Sequence, residues 1–255
     1  MSKVVVFDLD ETLGHFVELG MFWDALQNYH KKKMNKVEFF ETLEMFPEFI
    51  RPYMTNILKY LIKKKKKGEC DDVMIFTNNQ GPKSWTKMIA DYFNWKIKYP
   101  LFVNIIGAYK VDNNQIEMCR TSHSKKYSDL LKCTNLPPNT QVCFLDDQYH
   151  PHMEHSNVEY INSRPYVYEL TFNEMALRYY KRKGMKGGKN VFVGNIVEHM
   201  NQYNFNPHIK LRQEQIIDKI ISKKILEYLK IFFKNSRPPY TRRRIKIKHR
   251  RTYKH

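Results

Sequence analysis

The stretch Val4-Val5-Val6-Phe7-Asp8-Leu9-Asp10-Glu11-Thr12-Leu13 decides the fold. Its first four residues are apolar, mostly β-branched and without alternation, which is the pattern of a strand buried on both faces of a parallel sheet. Polarity changes abruptly at Asp8 and marks the strand's carboxyl end. In open α/β sheets ligands bind outside the carboxyl ends of the strands, so Asp8 and Asp10 face a candidate site. Two acids leaving an apolar strand together repel each other, and a divalent cation or a raised pKa relieves them.

Asp8-Leu9-Asp10-Glu11-Thr12-Leu13 resembles the Asp-x-Asp-x-Thr nucleophile motif of the haloacid dehalogenase superfamily, most of whose members are magnesium-dependent phosphohydrolases or phosphotransferases. Glu11 stands where many members carry Gly. It narrows the resemblance to the phosphatases of the RNA polymerase II carboxy-terminal domain and their NLI-interacting-factor-like relatives, in which Asp-Leu-Asp-Glu-Thr-Leu is followed by His. Here that histidine is His15, one place later.

The remaining motifs of the superfamily follow in order. Val73-Met74-Ile75-Phe76-Thr77-Asn78-Asn79-Gln80-Gly81 resembles the second: an apolar strand ends in a hydroxyl and a Gly-containing turn, whose donors suit a phosphate oxygen. The polymerase-tail group usually has Thr-Ala-Ser there, so the turn leans towards the Thr-Asn-Gln-x-Gly of polynucleotide 3′-phosphatases and histidinol-phosphate phosphatases. In Arg120-Thr121-Ser122-His123-Ser124-Lys125-Lys126, ahead of a helix through Leu130 and Leu131, the resemblance implies one lysine that offsets phosphate and carboxylate charge. Lys125 has the better spacing, with Lys126 as the alternative; Arg120 is a second candidate phosphate contact or a member of a surface ion pair. Gln141-Val142-Cys143-Phe144-Leu145-Asp146-Asp147 resembles the fourth motif, whose acid completes the metal site, with Asp147 replacing the usual amide.

The resemblance covers residues 4 to 147. It implies a three-layer α/β sandwich with a mostly parallel, Rossmann-like central sheet, a helical flap inserted after the first strand and a carboxy-terminal helical extension. It also implies phosphomonoester hydrolysis through an aspartyl-phosphate. Asp8 is then the nucleophile and Asp10 the acid and base. Thr77, Asn78 and Lys125 contact phosphate, and Asp8, Asp10, Asp146 and Asp147 hold Mg²⁺.

Elsewhere the periodicity predicts helices and connectors. Phe22, Trp23, Leu26 and Tyr29, then Phe39, Phe40, Leu43 and Phe46, recur at helical spacing within 14–50, as two core-packing helices or as a flap over the site. Arg51-Pro52 predicts a helix start, and Lys63 to Lys67 before Gly68 its end. Pro82 to Trp95 predicts the next helix, Tyr99 to Ile106 a turn and strand, Val158 to Ile161 and Tyr166 to Tyr168 short closing strands, and Phe172 to Lys183 a helix. His150, His152 and His155 invite a zinc reading, although His-x-His-x-x-His in a Pro-containing loop lacks the helical zinc geometry; contact with substrate is the other functional reading, and each taken singly reads first as a satisfied loop histidine without function. The Gly184–Lys189 segment lacks P-loop spacing and predicts a flexible connector, and Ile209 to Phe233 predicts a long amphipathic helix ended by Pro238-Pro239. The expected organisation is 1–170 as the phosphatase domain, 171–235 as helical extension, and 236–255 as a disordered basic tail.

Composition limits the alternatives. The four cysteines, Cys70, Cys119, Cys133 and Cys143, form no Cys-x-x-Cys pair and predict reduced thiols. No apolar run approaches a membrane span and the N-terminus has no secretory stretch, so an intracellular location is expected. The net charge is +18, and eight basic residues in 241–255 leave +10 on the remainder, a field that attracts polyanions. The expected substrate is a phosphoserine or phosphothreonine protein. A nucleic-acid 3′-end phosphatase is the second reading, and an idle nucleic-acid-binding module, with the basic tail as its contact, is the third.

Overall fold

The computed structural model describes residues 2–186 and 188–235, and the backbone of 241–244. The chain runs β1 (Lys3–Phe7), α1 (Val17–His30), α2 (Lys36–Glu44), α3 (Met54–Lys66), β2 (Asp72–Phe76), α4 (Lys83–Ile97) and β3 (Phe102–Ile106). A small hairpin of β4 (Lys110–Val111) and β5 (Asn114–Gln115) follows. Then come α5 (Tyr127–Thr134), β6 (Gln141–Asp146), β7 (Val158–Asn162), α6 (Phe172–Arg182), α7 (Lys189–Asn201), α8 (Arg212–Lys234) and β8 (Thr241–Arg244).

The central sheet has the order β3-β2-β1-β6-β7-β8, and each of its pairings is parallel. The fold is α/β. Strand β1 lies between β2 and β6, with Phe7 level with Ile75 on one side and Leu145 on the other. Its side chains divide between two cores. Val4 and Val6 pack with Phe76, Phe144 and, from α5, Tyr127 and Leu130; Val5 and Phe7 join the larger core built with α1 to α4 and α6 to α8. Both faces of the sheet are therefore covered, which is why β1, β2 and β6 read as unbroken apolar runs.

Local chemistry explains most helix ends. Asn35 caps α2, its Oδ1 accepting the Val37 and Glu38 N–H groups at 2.9 and 3.0 Å while the Glu38 carboxylate takes the Asn35 N–H at 2.7 Å. The lysines of the last turn of α3 complement the helix dipole, and Lys65 pairs with Asp72 at 2.8 Å.

Several sequence expectations are corrected. Helix α3 begins at Met54, because Tyr53 turns into the left-handed region at φ 60° and Arg51 is buried for another purpose. Tyr166 to Tyr168 is not a strand: the Tyr166 N–H donates to Glu11 O at 2.8 Å and its hydroxyl to Glu48 O at 2.5 Å. Helix α7, unread in the sequence, buries Phe192, Ile196 and Met200 at four-residue spacing against α1 and α6. Cys119 and Cys133 form a disulfide with Cα atoms 5.1 Å apart, since the segment before α5 folds back along it; Cys70 and Cys143 are free and buried.

The side chains of α6, α7 and α8 belong to the same core as β1. Residues 241–244 add a sixth strand beside β7, and the rest of the basic segment, with Pro238-Pro239, lies outside the described residues. Among the described residues no helix is long and apolar enough to cross a membrane.

Candidate functional site

Chain direction across the sheet changes at β1: β2 and β3 extend to one side, β6 and β7 to the other. Such a switch point opens a crevice at the carboxyl ends of the two strands. Asp8 leaves β1 there and Asp146 ends β6 beside it, with the Asp8 N–H donating to Leu145 O at 2.8 Å. Both acids are buried.

The Lys125 ammonium, buried as well, donates to Asp8 Oδ1 at 2.5 Å and to Asp146 Oδ2 at 2.7 Å. Lys126, the alternative, points away to Thr121 Oγ1 at 3.0 Å, as alternate side chains on an extended backbone must. One cation serves two carboxylates, and the two separate in acidity. Burial disfavours the charged form of both, but Lys125 and then His150, 3.4 Å away, hold the Asp146 pKa below the usual carboxylate range. Burial lifts Asp8 well above that range, Lys125 opposes, and Asp146 and Asp10 add to the rise. The acids outweigh burial at Lys125 and raise its pKa.

Asp147 completes the acidic group: ligand oxygens of Asp8, Asp146 and Asp147 all lie within 4.8 Å of one another. Burial, Asp146 and Glu11 push the Asp147 carboxyl up to about 6. Thr12 fixes it, its hydroxyl donating to Asp147 Oδ1 and accepting the Asp147 N–H, each at 3.2 Å. Three clustered carboxyls share one ammonium, so the group is short of positive charge whenever all three ionise. Oxygen donors of this kind suit a hard divalent cation such as Mg²⁺.

The Asp10 carboxylate is not part of that group. It turns to Asn79, whose Nδ2 donates to Asp10 Oδ2 at 2.7 Å, and burial raises its pKa despite that hydrogen bond. Asn79 is the pivot of the turn after β2: its Oδ1 accepts the Gly81 N–H at 2.9 Å and its own N–H donates to Thr77 Oγ1 at 3.0 Å. Thr77 is buried one residue beyond β2, next to the strand that carries Asp8. The sequence placed Asn79 only within the turn. Its signal was the Asn-x-Gly spacing, which favours a side-chain-closed turn.

Two buried arginines hold the loops from behind. Arg120 donates to Thr77 O at 3.0 Å, Gly107 O at 2.7 Å, His123 O at 3.0 Å and Asn78 Oδ1 at 2.7 Å, with Phe76 under its guanidinium at 4.8 Å. Buried and bonded to these oxygens, it is not the surface ion pair the sequence offered, and it engages the Asn78 oxygen. Arg51 donates to Thr12 O at 2.7 Å, Glu11 O at 2.6 Å and Arg164 O at 2.9 Å. Glu11 needs that support, since its φ of 58° is a left-handed conformation that disfavours residues other than glycine.

The three loop histidines do not converge. His150 lies against Asp146, His152 is exposed, and His155 stacks on Tyr127 with ring centroids 4.2 Å apart. Beside Asp10 opens a cleft of about 850 Å³, with Phe16, Trp23 and Gly20 on the α1 side and Ser84, Trp85 and Met88 on α4. The aromatics of α1 and α2 pack on each other and on neighbouring helices, Trp23 on Phe39, Phe22 on Phe46 and Tyr179, and Phe40 on Tyr92, so Phe22, Phe39 and Phe40 are core and Trp23 borders the cleft.

No protein-family model, curated protein or solved structure matches this chain. The functional reading rests on the arrangement of these side chains.

Proposed function

We propose that the protein is a Mg²⁺-dependent phosphomonoester hydrolase of the haloacid dehalogenase type, acting through an aspartyl-phosphate on phosphoserine or phosphothreonine proteins. The observation that carries the reading is the buried Lys125 bridging Asp8 and Asp146 at the β1/β6 switch point, with Asp147 beside them. A Mg²⁺ ion held by Asp8, Asp146 and Asp147 would supply charge neutralisation to the phosphoryl oxygens.

The residues divide the chemistry as follows. An Asp8 carboxylate oxygen attacks phosphorus, and the bond from phosphorus to the substrate oxygen breaks. Asp10, with its pKa raised by burial, gives its proton to that leaving oxygen. Asp10, now ionised, takes a proton from water, which attacks the aspartyl-phosphate, releases inorganic phosphate and restores Asp8. Lys125 and the Thr77 hydroxyl neutralise the transferring group's oxygens. Asn79 aims Asp10 at the cleft where the leaving group lies.

A nucleic-acid 3′-phosphatase is the second reading, favoured by the Asn79-closed turn and by Trp23 and Trp85 at the cleft, where a base can stack. The test begins with Asp8→Asn, which should abolish hydrolysis of an aryl phosphate without lowering the melting temperature by more than a few degrees. Retained turnover overturns the nucleophile. The substrate class is then decided by kcat/KM on a phosphoserine peptide against a 3′-phosphorylated oligonucleotide at matched, near-physiological salt. An oligonucleotide preference of about tenfold, roughly 1.4 kcal/mol, would favour the second reading.

A further inference from the structure

A second group of metal-ligating side chains lies apart from the carboxylate cluster. His15, just before α1, Glu18 in its first turn and Glu169, ahead of α6, bring one imidazole and two carboxylates within 4.8 Å of one another. His15 is 4% exposed and Glu18 fully buried. Among the described residues neither His15 nitrogen and neither Glu18 oxygen makes a hydrogen bond, and His15 Nε2 meets Glu18 Oε2 as an ion pair only if the imidazole is protonated. Glu169 uses its Oε2 to accept the His208 N–H, which leaves Oε1 facing His15.

A carboxylate with no hydrogen bond in a fully buried position is costly, and a second carboxylate beside it makes the cost larger. The distances indicate what relieves it. His15 Nε2 is 3.1 Å from Glu18 Oε2 and 3.9 Å from Glu169 Oε1. Ligands of a tetrahedral zinc ion, at bond lengths of about 2.0–2.2 Å, lie roughly 3.3–3.6 Å apart, so the measured separations bracket the edge of such a site. Imidazole with two carboxylates is a donor set for Zn²⁺ or a similar transition ion, unlike the all-oxygen group around Asp8.

We infer that His15, Glu18 and Glu169 form a second, structural divalent-metal site of the zinc type. It clips the start of α1 to the segment that leads into α6, fixing the wall of the cleft against the carboxy-terminal helices. The inference stands whatever the reaction at Asp8 is.

The test uses the full chain, stripped with a chelator and titrated with Zn²⁺ by calorimetry in excess Mg²⁺, which occupies the carboxylate cluster. One Zn²⁺ per chain at micromolar affinity or tighter is expected, with a rise in melting temperature. Co²⁺ in its place should give the intense visible absorption of a four-coordinate ion. His15→Gln and Glu169→Gln should each weaken Zn²⁺ binding at least tenfold and remove the Co²⁺ band. Glu169 is at the edge of the group, so Glu169→Gln keeps the test decisive if His15→Gln fails to fold. Absence of Zn²⁺ binding, or binding that Glu169→Gln leaves unchanged, overturns the site, because the ion would then be absent or held elsewhere.

Discussion

Replacing Lys125 by methionine removes the ammonium that donates to both Asp8 and Asp146 while keeping the stem's volume. In metal-free protein it leaves two buried carboxylates facing each other. Breaking a buried pair in this way costs about 3–5 kcal/mol. Protonation sets a ceiling. The folded protein can escape by protonating one acid, which at about pH 7.5 costs roughly 5 kcal/mol for a group with an ordinary pKa of about 3.9. Asp8 is already raised in wild type, so the relative slope arises over the pH range in which the folded variant holds a proton that folded wild type has released; there its stability relative to wild type falls as pH rises, by up to about 1.4 kcal/mol per unit. The assay is urea unfolding in a chelator from about pH 6 to 8, repeated with saturating Mg²⁺. Mg²⁺ replaces the missing positive charge, so it should stabilise Lys125→Met by more than it stabilises wild type, while aryl-phosphate turnover stays low. A metal-free variant within about 1 kcal/mol of wild type, with no added pH slope, would refute the claim that the lysine neutralises these acids.

The Cys119–Cys133 bridge closes a 15-residue loop carrying Arg120 and Lys125, so its reduction, or Cys119→Ser with Cys133→Ser, should cost about 3 kcal/mol and lower the melting temperature by roughly 6–12 °C; a shift under about 2 °C would mean the loop is held without it. Arg120→Lys keeps the charge but loses the fork that braces Thr77, Gly107 and Asn78, and should lower kcat/KM for an aryl phosphate about tenfold or more; unchanged kinetics would show that the turn holds itself. Asp147, raised to about 6 when folded, makes metal-free stability fall as pH rises from about 4 to about 6, since the folded state retains a proton the unfolded state has released. Asp147→Asn should remove that fall and weaken Mg²⁺ binding, and calorimetry showing unchanged Mg²⁺ affinity would take Asp147 out of the metal group.

The strands that build the crevice were legible because burial on both faces leaves no room for a polar residue until the chain exits. Val4–Phe7, Val73–Phe76 and Val142–Leu145 therefore end abruptly at the residues that matter. What the sequence concealed depends on long-range contact. Arg51 looked like a helix start because Pro52 follows it, yet its partners Glu11, Thr12 and Arg164 are about 40 and 113 residues away. Lys125 and Lys126 are identical in type, and only the extended backbone before α5 sends one to the acids and the other to Thr121. Cys119 and Cys133 carry no spacing signal. Helix α7 follows a lysine- and glycine-rich segment, and of its six apolar residues only Phe192, Ile196 and Met200 are buried, so the stripe is blurred by Val191, Val193 and Val197.

Among the described residues Arg51, Arg120 and Lys125 are buried cations around the crevice, and their partners distinguish their roles. Arg51 and Arg120 hold main-chain and amide oxygens, which carry no net charge; burial therefore prevails and lowers both to about 10. Lys125 holds two carboxylates, which outweigh the same burial and raise it. A fork-shaped guanidinium can satisfy three or four carbonyls at once and still keep its proton at neutral pH, so arginine suits the loops. A compact ammonium on a flexible stem can shift between two acids and an incoming anion, so lysine suits the crevice. The left-handed Glu11 and the Asn79 turn are thus held rigidly by neutral-partnered charges, while the Lys125 charge sits between the acids. That division explains why exchanging either arginine for lysine is expected to loosen geometry, whereas neutralising Lys125 is expected to change electrostatics.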